Sequence, residues 1–134
     1  METTCIFCKI IKREIPSYAV YEDDIFFGFL DIFPLSRGNT LLIPKSHHRW
    51  VDDVPEFGLY WEAAKKVGES LKKNLGASSI SYLTLGEEVP HAHIRIIPRF
   101  GPDDMYLTLR PPQKFSEQEM KEIQKLVVIN TAGI

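Results

Sequence analysis

The sequence predicts an α+β fold: a sheet of about five mostly antiparallel strands, a short N-terminal helix, one long helix over about 53–75 and a C-terminal helix over about 116–129. Three observations carry that expectation. Short runs rich in β-branched and aromatic residues, bounded by turn signals, recur at 19–22, 25–30, 39–44, 80–85 and 89–97. One long stretch between the third and fourth runs has helical periodicity instead. Ser116-Glu117-Gln118-Glu119 has the form of a capping box at the start of a last helix.

Each element has its own local reason. Ile6, Phe7, Ile10 and Ile11 have the spacing of a two-turn amphipathic helix, which Ile15-Pro16 ends because the residue before proline avoids the α region. Runs 19–22 and 25–30 flank Asp23-Asp24 and read as a hairpin without the usual glycine. Asp31 to Gly38 is a loop punctuated by Pro34, and 39–44 follows as the third strand, ending in Lys45-Ser46-His47-His48-Arg49-Trp50. Asp53 is placed as N-cap of the long helix, with Pro55 in its first turn and Glu56 three residues on. Leu59, Tyr60, Ala63, Ala64, Val67, Leu71 and Leu75 form its apolar stripe, and Gly76 is the stop. Gly86-Glu87-Glu88 turns the chain between the fourth and fifth strands. Residues 100–113 read as a loop with one short strand at 106–109.

Composition narrows the function classes. The chain has 134 residues, 44% hydrophobic and 25% charged, which is enough for one domain with a proper core. A net charge of -2 gives no basic footprint, so a large nucleic-acid surface is not expected, although a small nucleotide remains possible. No apolar run approaches the roughly 20 residues of a membrane span. Met1-Glu2-Thr3-Thr4 lacks the basic start of a signal peptide, so the expected compartment is the cytoplasm. There, Cys5 and Cys8 are expected to be reduced or metal-bound.

The most informative stretch is Val89-Pro90-His91-Ala92-His93-Ile94-Arg95-Ile96-Ile97. On a strand, His91, His93 and Arg95 share one face, about 7 Å apart in succession, while Ala92, Ile94 and Ile96 face a core. A half-buried strand with a polar outer face would look the same. Cys5 and Cys8, with His47 and His91, make up a donor set suited to tetrahedral zinc. A buried thiol pair or a redox pair is the alternative. His93 is a candidate phosphoryl nucleophile if a backbone carbonyl holds one ring nitrogen, and Arg95 can donate to phosphoryl oxygens. Asp31 can take a ribose diol or cap its own turn. Phe7, Ile10, Phe29 and Ile32 can line an apolar slot or simply fill the core.

Three blocks together resemble the histidine triad (HIT) family of nucleotide hydrolases and transferases, in its Hint-like branch. They are Cys5-Ile6-Phe7-Cys8 with Glu14-Ile15-Pro16, Leu30-Asp31-Ile32-Phe33-Pro34 to Pro44-Lys45-Ser46-His47, and Val89-Pro90-His91-Ala92-His93 to Pro98-Arg99. The resemblance implies a single HIT domain over 1–134, with a motif-bearing core at about 5–100 and a C-terminal extension. It implies that His93 attacks the α-phosphorus of a nucleoside phosphoramidate, of the AMP-lysine or adenosine phosphoramidate type, or of a nucleotide phosphoanhydride. A nucleotidyl-histidine results, which water resolves. It further implies a purine nucleotide held by Asp31 at the ribose and by Phe7, Ile10, Phe29 and Ile32 at the base. Structural zinc on Cys5, Cys8, His47 and His91, and a homodimer, complete the expectation. Two positions depart from the family pattern. Arg95 stands where hydrolases have the third histidine; it can hold phosphate but cannot release a proton near neutral pH. Glu87 brings a carboxylate to the phosphate side, where relatives have Gln in a Gly-Gln-Ser or Gly-Gln-Thr loop. The alternative is therefore a nucleotide-binding module with structural zinc and little or no turnover.

Overall fold

A computed structural model describes residues 4–101 and 111–129; the strand expected at 106–109 lies outside them. Helix α1 (Ile6–Ile11) is followed by strands β1 (Ala19–Glu22), β2 (Phe26–Leu30) and β3 (Thr40–Pro44). A single 3-10 turn (Val51–Asp53) leads to helix α2 (Phe57–Leu75), then β4 (Ser79–Leu83), β5 (Ile94–Arg99) and helix α3 (Glu117–Val127). The five strands form one sheet in the order β1-β2-β3-β5-β4, every neighbouring pair antiparallel. The α+β class expected from the pattern is the one found.

The sheet is covered on both faces, which is why β2 and β3 read as unbroken apolar runs. Leu30, Leu42, Ile94 and Ile96 pack against Tyr60, Ala64, Val67 and Leu71 of α2. Phe27, Phe29, Leu41 and Ile43 point the other way, onto Phe7, Cys8 and Ile10 of α1. The Tyr60 hydroxyl donates to the Leu42 carbonyl at 2.7 Å, so its buried polar end is satisfied. The hairpin turns without glycine because Asp23 does the work of the turn. Its Oδ1 accepts from the N–H groups of Ile25 (2.8 Å) and Phe26 (2.7 Å).

Several boundaries differ from expectation, each for a physical reason. Helix α2 starts at Phe57, and Asp53 lies in the 3-10 turn rather than at an N-cap. Val54 is extended (φ -71°, ψ 117°) because Pro55 follows it, and that interrupts any helix running from 53. Leu59 is exposed; the buried stripe is Tyr60, Ala63, Ala64, Val67, Gly68 and Leu71. Gly76 does stop the helix, in the left-handed region at φ 73°. Strand β5 begins at Ile94, not Val89. Pro90 offers no ladder donor, the His91 N–H turns back to the Val89 carbonyl (2.8 Å) and the Ala92 N–H bonds the His48 carbonyl (2.7 Å). β4 consequently ends at Leu83, opposite Arg95, because Thr84 and Leu85 have no strand left to pair with. The capping box at Ser116 and Glu119 has both of its bonds. Helix α3 ends at Val127 because the Ile129 N–H leaves to bond the Val20 carbonyl at 2.8 Å. Among the described residues, no helix is long and apolar enough to cross a membrane.

Candidate active site and metal centre

Cys5 is the N-cap of α1, in extended backbone, and its Sγ accepts the N–H of Cys8 at 3.4 Å. One helical turn therefore puts both thiols on the same side. His47 follows β3 and His91 precedes β5, two strands paired side by side, so the imidazoles arrive from adjacent chain segments. Cys5 Sγ lies 3.3 Å from His91 Nδ1, and Cys8 Sγ lies 3.2 Å from His47 Nδ1 and 3.5 Å from His91 Nδ1. All four ligand atoms fall within 4.8 Å of one another. A tetrahedral ion with Zn–S near 2.3 Å and Zn–N near 2.0–2.1 Å would hold S and N about 3.5 Å apart. The donor set fits such an ion in type and spacing. His91 Nε2–H donates to the Pro44 carbonyl at 2.9 Å, which leaves the Nδ1 lone pair aimed at the thiols. Burial pushes the His91 imidazole down to about 4, so it is neutral, the ligating form. Neither cysteine is in a disulfide.

Two residues on, His93 is buried and its Nδ1–H donates to the His91 carbonyl at 2.8 Å. That bond makes Nε2 the ring atom with the lone pair. Burial, chiefly, lowers the His93 pKa and so favours the neutral ring. The Phe7 ring stands edge-on to both His91 (5.8 Å) and His93 (5.3 Å), so one aromatic residue covers both. Although 91–93 is not strand, the two rings still share a side. Ala92 is buried with Ile94 and Ile96 in the α2 core, on the opposite side.

A cleft of about 410 Å³ opens beside His93. The sheet register builds one wall: Phe29 pairs with Leu41, and Leu41 with Arg95, so these three form a row across β2, β3 and β5. Helix α1 supplies the other wall through Phe7 and Ile10. Ile32 and Phe33, 64% and 67% exposed, stand at the mouth, and Glu87 and Glu88 form the lip. Every residue expected from the sequence to touch nucleotide, namely Phe7, Ile10, Phe29, Asp31, Ile32, Glu87 and Arg95, lines this one cleft with His93.

Within the cleft, Arg95 is anchored by a carboxylate. Its Nη2 donates to Asp31 Oδ2 at 3.0 Å, across 64 residues of sequence. The other Asp31 oxygen accepts the Phe33 N–H at 2.9 Å, so the carboxylate both caps its turn and holds the guanidinium. Arg95 Nε is buried and has no partner among the described residues.

Sequence reasoning missed a second cavity, of about 200 Å³, that also reaches His93 and Glu87. Its roof is Trp50, which lies over Gly86 so closely that a Cβ there would come within 2.5 Å of the ring. The Arg49 guanidinium lies 4.2 Å from the Trp50 ring centre and donates to the Gly86 carbonyl. This brace fixes the loop that carries Glu87 and Glu88. Only the glycine at 86 hinted at it in the sequence.

Comparison with known proteins follows the same lines. A family model described as HIT domain matches residues 12–101. The HIT-like protein MJ0866 of Methanocaldococcus jannaschii is 43% identical over 106 residues, 74% of this chain and 81% of that one. Adenosine 5'-monophosphoramidase HNT1 of Saccharomyces cerevisiae is 30% identical over 138 residues, covering 99% of this chain and 86% of the yeast protein. A crystal structure of a Hit-like protein from Bartonella henselae superposes with a TM-score of 0.81 at 33% identity, over 95% of this chain and 96% of that one. A Zn-bound histidine triad family protein from Mycobacterium smegmatis does so with a TM-score of 0.76 at 28% identity, over 92% and 90% of the two chains.

Proposed function

The chain belongs to the HIT domain family, and from that premise we propose that it is a hydrolase acting at the α-phosphate of a purine nucleotide, with His93 as nucleophile. The bond from His93 Nδ1–H to the His91 carbonyl carries this reading, because it presents a neutral Nε2 lone pair inside the cleft. Phe7, Ile10, Phe29 and Ile32 enclose the base, and Asp31 lies at the ribose. The guanidinium of Arg95 holds non-bridging phosphoryl oxygens. Nε2 forms a bond to phosphorus as the bond to the leaving group breaks and its electron pair departs with that group; water oxygen then bonds to phosphorus, the P–N electron pair returns to Nε2, and the water proton passes to solvent. The yeast relative, an adenosine 5'-monophosphoramidase, supports chemistry at this phosphate.

Cys5, Cys8, His47 and His91 would hold zinc as a closed four-ligand site, a structural role with no open position for substrate. The Zn-bound mycobacterial neighbour supports that metal. Two copies would pair through edge strand β4 and the aromatic group beside it, Phe57, Trp61 and Tyr82, whose ring centres lie 6.3 and 6.0 Å apart in succession. A monomeric mass on sedimentation would reject that pairing. Thiols at Cys5 and Cys8 outside any disulfide fit the cytoplasm; recovery of the protein from an extracellular fraction would reject that address.

The decisive experiment is acid-stopped turnover of labelled adenosine nucleotide. Label should be trapped on His93 in the parent and be absent from His93→Ala. Equal turnover by the two would sink the assignment. The Arg95–Asp31 pair favours one second reading, a nucleotide-binding module, because it ties up two polar groups of the cleft. That reading predicts calorimetric binding of AMP with no label on protein.

A further inference from the structure

A reaction that breaks a bond to phosphorus must find a destination for the electron pair of that bond. An amine expelled without a proton would leave as a nitrogen anion. A carboxylate, sulfate or phosphate leaves as a stable anion with no proton at all. Which class a site can expel therefore depends on whether it holds a group that donates a proton near neutral pH.

Among the described residues lining the cleft, His93 is the only histidine, and His93 is the nucleophile. The second cavity beside it holds no other histidine; His47, His48 and His91 line neither. Arg95 is two residues along the same wall, and a guanidinium keeps its proton at every pH at which proteins are folded. It is anchored to Asp31 at 3.0 Å. Asp31 accepts hydrogen bonds on both oxygens, from the Phe33 N–H and from Arg95 Nη2. Glu87 and Glu88 are exposed on the lip. Among the described residues, the cleft thus offers a fixed positive charge at Arg95 and no second imidazole to act as general acid.

We propose that this arrangement selects the leaving group: the chain hydrolyses adenylate anhydrides, whose leaving group departs as an oxyanion, in preference to phosphoramidates. The inference rests on the hydrolase reading above. In the first half of the reaction His93 Nε2 forms the P–N bond, the P–O bond to the leaving group breaks, and the electron pair stays on the departing oxygen. In the second half water oxygen bonds to phosphorus, the P–N pair returns to Nε2, and the water proton passes to the Glu87 carboxylate or to solvent. Arg95 stabilises the oxyanion by charge alone.

The test compares acetyl adenylate with adenosine 5'-phosphoramidate, each corrected for its spontaneous hydrolysis, in the parent and in Arg95→His and Arg95→Gln. Parent turnover should favour the anhydride, and Arg95→His should raise the phosphoramidate-to-anhydride ratio of kcat/KM by about 10²-fold, the low end of what a general acid contributes. Arg95→Gln, which has neither charge nor transferable proton, should not raise it. A measurement on the parent itself guards against a variant that fails to fold: imidazolium buffer should speed the phosphoramidate and not the anhydride. A parent that turns over both alike, with a ratio unmoved by Arg95→His and by imidazolium, overturns the proposal while leaving the hydrolase reading intact. A parent that forms no nucleotidyl-His93 with either substrate overturns the hydrolase reading, and the proposal with it.

Discussion

The Arg95–Asp31 pair can be weighed by a double-mutant cycle. Asp31→Asn keeps an amide oxygen for the Phe33 N–H, now bonded at 2.9 Å, and removes only the charge. Arg95→Gln removes the partner charge and keeps much of the stem. The two side chains are 10% and 20% exposed, so each variant leaves a largely desolvated charge behind. Breaking a fully buried pair costs about 3–5 kcal/mol and an exposed one about 0–1. The partial exposure here places each single change at about 2 kcal/mol. The double variant, with no orphaned charge, should cost little more than either single, for a coupling of about 2 kcal/mol. Urea unfolding at constant metal concentration reads all four corners. Additivity within about 0.5 kcal/mol would refute the pair as an energetic unit.

Three further outcomes are expected. Elemental analysis should find one bound metal ion per chain, and Cys8→Ser, which removes the thiol lying 3.2 Å from His47, should lose it; full metal content in that variant would reject the site. Ser116→Ala should lower stability by about 1 kcal/mol through loss of the capping bond to the Glu119 N–H, at unchanged turnover, because α3 lies away from the cleft. Gly86→Ala, whose new methyl would meet the Trp50 ring at 2.5 Å, should cut kcat/KM by displacing the Glu87 loop while changing the melting temperature little; turnover equal to the parent would show that the brace does not position the site.

Helical periodicity revealed α2 because it buries one stripe, and unbroken apolar runs revealed β2 and β3 because both faces of the sheet are covered. Boundaries slipped where a nearby proline overrode the pattern, at Val54 before Pro55 and at Pro90 ahead of β5. The site was legible as residue types, and Cys5, Cys8, His47 and His91 do converge. What stayed hidden was pairing across long separations. Nothing local joins Arg95 to Asp31, or Trp50 to Gly86. Both depend on the strand order β2-β3-β5 and on the path of the loops, which no spacing along the chain encodes.

Helix α1 is only six residues long, too short to hold its shape unaided. It nevertheless supplies Cys8, has Cys5 as its cap, and sends Phe7 and Ile10 into the cleft. The proposed metal and nucleotide would thus both grip one small element. Thermodynamic linkage then runs both ways: whatever factor metal adds to nucleotide affinity, nucleotide must add to metal affinity. Titrating a metal chelator with and without AMP measures that factor directly, and identical midpoints would mean that α1 stands firm without the ion.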